Sequence, residues 1–300
     1  METTTSDVVI LGSGPAGLQA AIHAARKKVS VLVVGKETKS SMYHAHIENY
    51  AFLFKATGDE MLKVGIEQAK QFGAGFLEED ITQISQNDPG FSLTTESGGI
   101  VHCRAFIIAT GTSRNKLNVP GEKEFFGKGV SYCVDCDGNF YKGEDVAVVG
   151  SESAAVDGAL TLTEIADSVH LVCDTLQVSD GLARKLAEST VRVHEGVGVK
   201  AILGESGVTH LLLGDESRLP VSGVFVELGA KGLMAISASL GIRLDDEMKY
   251  IRTNKKQETN MPGIYAAGDI CGPPWQLAKA VGEGCIAGIE AAAYAKKGRG

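Results

Sequence analysis

The chain has 300 residues, 44% of them hydrophobic, which is enough to bury a sizeable core and is compatible with two domains rather than one. A formal net charge of −8, with no long run of Lys and Arg, argues against a nucleic-acid partner. No apolar run approaches the roughly 18 residues of a membrane span, and the opening "METTTSD" is not a basic-then-apolar leader, so a soluble cytoplasmic protein with no membrane partner is expected.

The segment "VVILGSGPAGLQAAIHAARKKVSVLVV" reads as a strand from Val8 to Leu11, a Gly-rich turn, a helix of small residues and a second strand from Val29 to Val34. The turn contains Gly12-x-Gly14-x-x-Gly17. The first glycine permits a tight turn, the second lets the backbone approach a pyrophosphate, and the third lets helix and strand pack closely. Phosphates would lie at the helix N-terminus, where free N–H groups and the dipole favour an anion. The acidic partner of a ribose comes a little late in register. Glu37 is the candidate, and a solvated surface carboxylate is the alternative.

Next, "GDEMLKVGIEQAKQFGA" has helical spacing, with Met61, Leu62, Ile66 and Ala69 on one face and Thr57 or Asp59 as cap. Short β-like runs at Ile81 to Ile84, Phe91 to Thr95 and Ile100 to His102 suggest a small hairpin layer. "AFIIATGTS" is a strand ending in Ala109-Thr110-Gly111, whose small residues let the strand end pass beside a bound cofactor.

The chain then repeats itself. "VAVVGSESAAVDGALTLTEIADSVHLVC" aligns without gaps on the first unit at an offset of 138, placing Gly150 on Gly12, Glu152 on Gly14 and Ala155 on Gly17. Strand-like runs follow at Val191 to His194, Val208 to Leu213 and Gly223 to Leu228. The C-terminal part reads as a strand, a Gly-Asp turn and a long apolar helix.

With six cysteines and no export signal, a disulfide framework is not expected. Cys103, Cys173, Cys271 and Cys285 read as small buried core residues. Cys133 and Cys136, in "SYCVDCDGNF", are different. A structural zinc site needs four ligands, and no second Cys pair or His pair lies at a usable spacing, so no metal is expected. A static staple over two intervening residues constrains little chain entropy, whereas in a CxxC geometry one thiol is commonly acidified toward neutrality. Electron transfer is the favoured reading.

Taken in order, "GSGPAG", "ATG", "CVDCDG", a second Gly-containing βαβ unit and "GIYAAGD" resemble the low-molecular-weight thioredoxin reductase family over essentially the whole chain. The resemblance implies an α/β fold of two Rossmann-like, three-layer dinucleotide-binding domains, the second inserted into the first. An FAD-binding domain would comprise residues 1–116 and 245–300, and residues 117–244 would carry the CxxC. Gly12, Ser13, Gly14, Pro15, Ala16 and Gly17 would bind the FAD pyrophosphate, and Gly268 and Asp269 the ribityl chain and phosphates. Asn49 in "IENY" would lie near the isoalloxazine ring, and Gln276 and Leu277 match a segment at the start of the final helix.

By the same resemblance, Cys136 faces the flavin and receives electrons at the ring, and Cys133 attacks the disulfide of a thioredoxin through a mixed disulfide. Asp137 resembles the family's general acid, although a helix first-turn carboxylate is an equally physical role. Meeting flavin and thioredoxin in turn implies rotation of the inserted domain about linkers near "NKLNVPGEK" and "SASLGIRLDD". A homodimer is expected from the family.

The departures concern the second unit. Pyridine-nucleotide users of the family carry Gly-x-Gly-x-x-Ala, where this chain has Gly150-Ser-Glu152-Ser-Ala-Ala155. An anionic side chain beside a pyrophosphate costs on the order of 1 kcal/mol or more. The cations that hold a 2′-phosphate are replaced by Cys173, Asp174 and Thr175, with Ser179 later. Asp174 stands where an NADH-binding acid would, but Glu152 disfavours NADH and NADPH alike. The second domain is therefore expected to be a degenerate nucleotide fold, and the chain is similar to ferredoxin-linked and deazaflavin-linked members. Trp275, where many NADPH-type members have Arg, would cover the flavin or a second ring, or pack as an interface aromatic. The alternatives are a flavin-dependent dithiol oxidase and a flavin redox sensor or relay without turnover.

Overall fold

The computed structural model describes residues 3–43, 45–88, 90–111, 116–228, 233–246 and 248–297. The chain divides into two compact units, one formed by Met1–Thr95, Gly99–Thr112 and Leu240–Gly300, the other by Glu96–Gly98 and Ser113–Ser239. Of the two expected linkers, Asn115 lies outside the described residues. No helix among the described residues is long and apolar enough to cross a membrane.

The first unit begins with β1 (Thr3–Leu11), α1 (Pro15–Arg26), β2 (Val31–Val34), β3 (His46–Ile47) and β4 (Ala56–Thr57). It continues through α2 (Gly58–Gln71), β5 (Ala74–Leu77), β6 (Ile81–Asn87), β7 (Gly90–Thr95) and β8 (Ile100–Ile108). In the second unit come β9 (Val130–Ser131), α3 (Val134–Asp137), β10 (Asp145–Val149), α4 (Ser153–Leu162), β11 (Ser168–Cys173), α5 (Asp180–Ala187) and β12 (Arg192–Glu195). Then follow β13 (Val199–Gly204), β14 (Val208–Leu213), β15 (Arg218–Pro220), β16 (Gly223–Val226) and α6 (Leu233–Leu240). The chain returns to the first unit with β17 (Ile264–Ala266) and α7 (Leu277–Lys297).

The sheet of the first unit runs β5-β2-β1-β8-β7-β6, and β17 pairs with the far half of β8. Strands β5, β2, β1, β8 and β17 are parallel, whereas β7 and β6 form an antiparallel hairpin. Val8 to Leu11 are all buried, as a strand covered on both faces requires. Val8 and Ile10, with Ala105 and Ile107, share a core with small residues of α1 and α7. That packing is close. A Cβ on Gly284 would lie 2.2 Å from Ala16 O, and one on Gly288 would lie 2.3 Å from Ala20 O.

In the second unit the main sheet, β12-β11-β10-β16-β9, is wholly parallel, and β13-β14-β15 form an antiparallel meander. Alternation along β10 builds the layers. Val146 and Val148 pack with Ala155, Val156 and Ala159 of α4. Ala147 and Val149 face Leu211 and Leu213 of the meander. The fold is thus α/β with two Rossmann-like units.

Several boundaries move. β2 begins at Val31 rather than Val29, because the chain after α1 turns through Lys28 (φ 60°) and is held by Ser30, whose N–H and hydroxyl both donate to Asp7 Oδ2. Thr57 is the N-cap of α2, its N–H donating to Glu60 Oε2 at 3.4 Å. Leu62 and Ala69 are buried there, while Met61 and Ile66 are half-buried. Cys103 and Cys173 are core residues, but Cys271 and Cys285 are only half-buried, since both lie where the small-residue segments reach the surface.

Candidate active site

β1 delivers the chain into the first Gly-rich turn. A Cβ on Gly12 (φ 109°) would lie 2.3 Å from Ala109 O, and one on Gly17 would lie 1.9 Å from Gly12 O, so any other residue at either position breaks the turn. Gly14 faces open space apart from Ser40 Oγ. It is the N-cap of α1 and offers no side-chain cap, and Pro15 follows with no N–H of its own. The amides of the first turn therefore point out unshielded. Two polar atoms beside them, Ser13 Oγ and Glu37 Oε1, are buried without a hydrogen-bond partner. Such orphans cost about 1–3 kcal/mol each.

Glu37 opens a short 3-10 turn, Glu37–Lys39, anchored by Lys39 Nζ donating to the buried Asp80 Oδ2 at 2.8 Å, with Lys36 Nζ at 3.5 Å from the same oxygen. A hydroxyl that can donate to a phosphate oxygen and a carboxylate oxygen that can accept from a ribose hydroxyl are what a flavin dinucleotide offers partners to, so this turn fits FAD. At the end of β8, Ala109 N donates to Leu11 O at 2.8 Å; Ala109 is buried, Thr110 exposed and Gly111 half-buried.

The same unit brings together residues from the two ends of the sequence. Asn49 Nδ2 donates to Gln276 Oε1 at 2.9 Å, both side chains being exposed. Leu277, at the start of α7, packs on Leu18, Met42, Ile47 and Leu62. Gly268 caps the 3-10 turn Asp269–Cys271. Burial raises the Asp269 carboxyl above its ordinary range; the Lys279 ammonium opposes this and Glu283 adds to it. Trp275 is 59% exposed.

In the second unit Cys133 and Cys136 form a disulfide across α3. Cys133, the N-cap, is 3% exposed, and Cys136 is half-buried. The Cys136 N–H donates to Cys133 Sγ at 3.2 Å, a donor aimed at a sulfur that carries negative charge during exchange. Ser131, at the end of β9, accepts from Cys133 N at 3.1 Å and donates to Asp137 Oδ2 at 2.6 Å, tying the carboxylate to the redox turn. The buried Glu227 accepts from Val134 N at 3.1 Å. Tyr141 is raised by burial, with the Asp137 charge adding. Phe140 stands 81% exposed just beyond the pair. Sequence reasoning did not find Ser131 or Glu227, because a lone Ser and a lone Glu carry no pattern.

The second Gly-containing turn is built differently. Gly150 is required, since a Cβ there would lie 2.1 Å from Glu227 O. Glu152 takes the N-cap of α4, and Ser153, Ala154 and Ala155 are buried behind it. The segment leaving β11 folds back over the turn. Gln177 N donates to Ser151 O at 2.7 Å, Leu176 N donates to Glu195 Oε1 at 3.1 Å, and Leu176 and Val178 pack on the core. Local charge is negative: burial raises the Cys173 thiol, with the Glu195 and Asp174 carboxylates adding. Ser179, aligned with a family cation, is the N-cap of α5 and accepts from Leu182 N at 3.4 Å.

The family described as pyridine nucleotide-disulphide oxidoreductase matches residues 6–284. A thioredoxin reductase of Listeria innocua is 36% identical over 97% of this chain and 94% of its own length. Among solved structures, an atypical thioredoxin reductase from Desulfovibrio vulgaris Hildenborough is 33% identical, with a TM-score of 0.86 over 97% of this chain and 98% of the other. A ferredoxin-flavin thioredoxin reductase from Clostridium acetobutylicum is 32% identical, with a TM-score of 0.72 over 99% of this chain and 100% of the other.

Proposed function

The chain belongs to the thioredoxin reductases of the pyridine nucleotide-disulphide oxidoreductase family, and from that premise we propose that it reduces a thioredoxin-like protein with electrons drawn from a donor other than NADPH or NADH. It is an oxidoreductase of a flavoprotein family with a redox disulfide at Cys133 and Cys136. A ferredoxin or a reduced deazaflavin is the donor class this reading assigns. The single observation that carries it is that an anionic residue, Glu152, is the N-cap of α4 in the turn where a dinucleotide phosphate would be received, with the Gln177 backbone bonded to the neighbouring Ser151 O. A homodimer and a cytoplasmic location belong to the same proposal.

Gly12 to Gly17, Glu37, Ala109 to Gly111, Gly268 and Asp269 would hold FAD, which would supply the electron pair that opens the Cys133–Cys136 disulfide. Asn49, Gln276 and Leu277 would lie toward its ring. The reduced Cys133 thiolate then attacks one sulfur of the partner's disulfide. That S–S bond breaks, a mixed disulfide forms, and the leaving thiolate takes a proton. Cys136 as thiolate attacks Cys133 Sγ, restoring the disulfide and releasing the partner's second thiolate, which is also protonated; two electrons and two protons reach the partner. Asp137, next to Cys136 and held by the Ser131 hydroxyl, is assigned the proton traffic of these sulfurs. Cys133 is buried in this structure, so its attack requires that it first be uncovered.

The test is an anaerobic titration of FAD-loaded protein with NADPH, NADH, reduced deazaflavin and reduced ferredoxin, followed by flavin bleaching. Bleaching by deazaflavin or ferredoxin alone, reversed by oxidised thioredoxin, is the expected result. Rapid bleaching by either nicotinamide at micromolar levels would overturn the donor assignment, and reoxidation by air with consumption of a small dithiol would favour a dithiol oxidase instead.

A further inference from the structure

A single ion pair on α7 holds both backbone groups of Gly268. The Gly268 N–H donates to Glu283 Oε2 at 2.9 Å, and Lys279 Nζ donates to Gly268 O at 2.7 Å. The same ammonium donates to Gly272 O at 2.7 Å and lies 3.0 Å from Glu283 Oε2, so each of its three protons has an acceptor. The two side chains are one helical turn apart and only 16% and 19% exposed. Between the two carbonyls runs the short turn Asp269–Cys271. Its flanking corners, Gly268 (φ 88°, ψ −155°) and Gly272 (φ 101°, ψ −179°), lie in a region open essentially to glycine alone. The turn's own backbone bonds are two, Cys271 N to Gly268 O at 2.9 Å and Gly272 N to Asp269 O at 3.0 Å. Ile251 N donates to Ile270 O at 2.9 Å as well, but neither that bond nor the turn's own two engages the Gly268 N–H.

We propose that Lys279 and Glu283 are positioning residues that lock the Gly268–Asp269 turn in the shape that receives FAD. The ammonium draws together the carbonyls on either side of the turn, and the carboxylate fixes the Gly268 amide, so the Asp269 side chain leaves the turn in one direction. Because every donor of Lys279 is used within the protein, the residue acts through the turn rather than by pairing with the cofactor's phosphates. This deepens the assignment of Gly268 and Asp269 as FAD contacts and rests on it.

The experiment compares wild type, Lys279→Met and the double variant Lys279→Met/Glu283→Leu, which leaves no lone buried charge. FAD is titrated into each apoprotein at low and high salt, and hydrogen exchange is followed over residues 268–272 without FAD. Both variants are expected to bind FAD at least about ten-fold more weakly, the scale of losing charge-assisted bonds, by the same factor at either salt concentration, and to exchange faster across the turn. Unchanged FAD affinity in the double variant would overturn the proposal while leaving the FAD assignment intact. A loss that shrinks sharply with salt would overturn it in favour of direct phosphate attraction. Failure of the wild-type apoprotein itself to bind FAD would instead overturn the reading of the Gly268–Asp269 turn.

Discussion

Asn49 and Gln276, separated by 227 positions in the sequence, are joined by a side-chain hydrogen bond of 2.9 Å. Both are exposed, so the bond contributes little to folding, and in the proposed flavin site it would lie toward the cofactor's ring. Gln276→Ala should leave the melting temperature within about a degree or two while changing the absorption maxima and fluorescence of bound flavin. Identical flavin spectra in variant and wild type would remove both residues from the site.

The two cysteines should behave unequally toward a protein disulfide. With Cys136→Ser, a thioredoxin should remain attached through Cys133, visible as a covalent adduct on a non-reducing gel; with Cys133→Ser no adduct should accumulate. The opposite pattern would exchange the roles given to the two sulfurs.

Relieving the charge in the second Gly-containing turn should not create nicotinamide use. Glu152→Gly removes a repulsion on the order of 1 kcal/mol, but the Gln177 bond to Ser151 O and the carboxylates of Asp174 and Glu195 remain. Flavin in this variant should still resist bleaching by NADPH. Brisk bleaching would mean that Glu152 alone had closed the site.

Phe140 is the large apolar side chain exposed beside the redox turn. Truncating it to Ala should raise KM for thioredoxin about ten-fold, the loss typical of a central aromatic anchor, and leave flavin reduction by the donor unchanged. An unaltered KM would show that the partner docks elsewhere.

Burial pushes the Cys103 thiol up to about 12 from an ordinary value of 9.0. Between those pH values the unfolded chain releases this proton and the folded chain keeps it, so the unfolded state binds fewer protons and stability falls as pH rises. The slope is roughly 1 kcal/mol per pH unit. Below pH 9 the contribution is constant. Urea midpoints measured from pH 8 to 11 should fall less steeply in Cys103→Val than in wild type, and parallel slopes would contradict the assignment.

What was legible in the sequence was what short-range geometry dictates. Gly12 and Gly17 are required by contacts within a few residues or with the neighbouring strand end, and their spacing announces them. The apolar runs of β1, β8 and β10 are similarly overt, being buried on both faces. Residues whose role depends on a distant partner were silent. Lys279 and Glu283 read as ordinary polar positions of a long helix, since the carbonyls and the amide they serve come from a loop that only the fold brings near. Ser131 sits on a strand of two residues, too short for any period to register. Ser179 aligned with a nucleotide ligand but caps a helix that was not anticipated, because α5 buries only Leu182 and Leu186.

The first unit is assembled from pieces that lie on either side of the second: β17 completes the edge of β8, and α7 lies against α1 so closely that glycines replace side chains at the seam. During synthesis the turn at Gly12 emerges early, yet the strand and helix that back it emerge only after the CxxC unit is finished. The second unit, nearly contiguous, can fold on the ribosome while β1 and α1 wait without their α7 cover. A stall before α7 therefore leaves the Gly12 turn without the helix that backs it, even where the second unit has already folded.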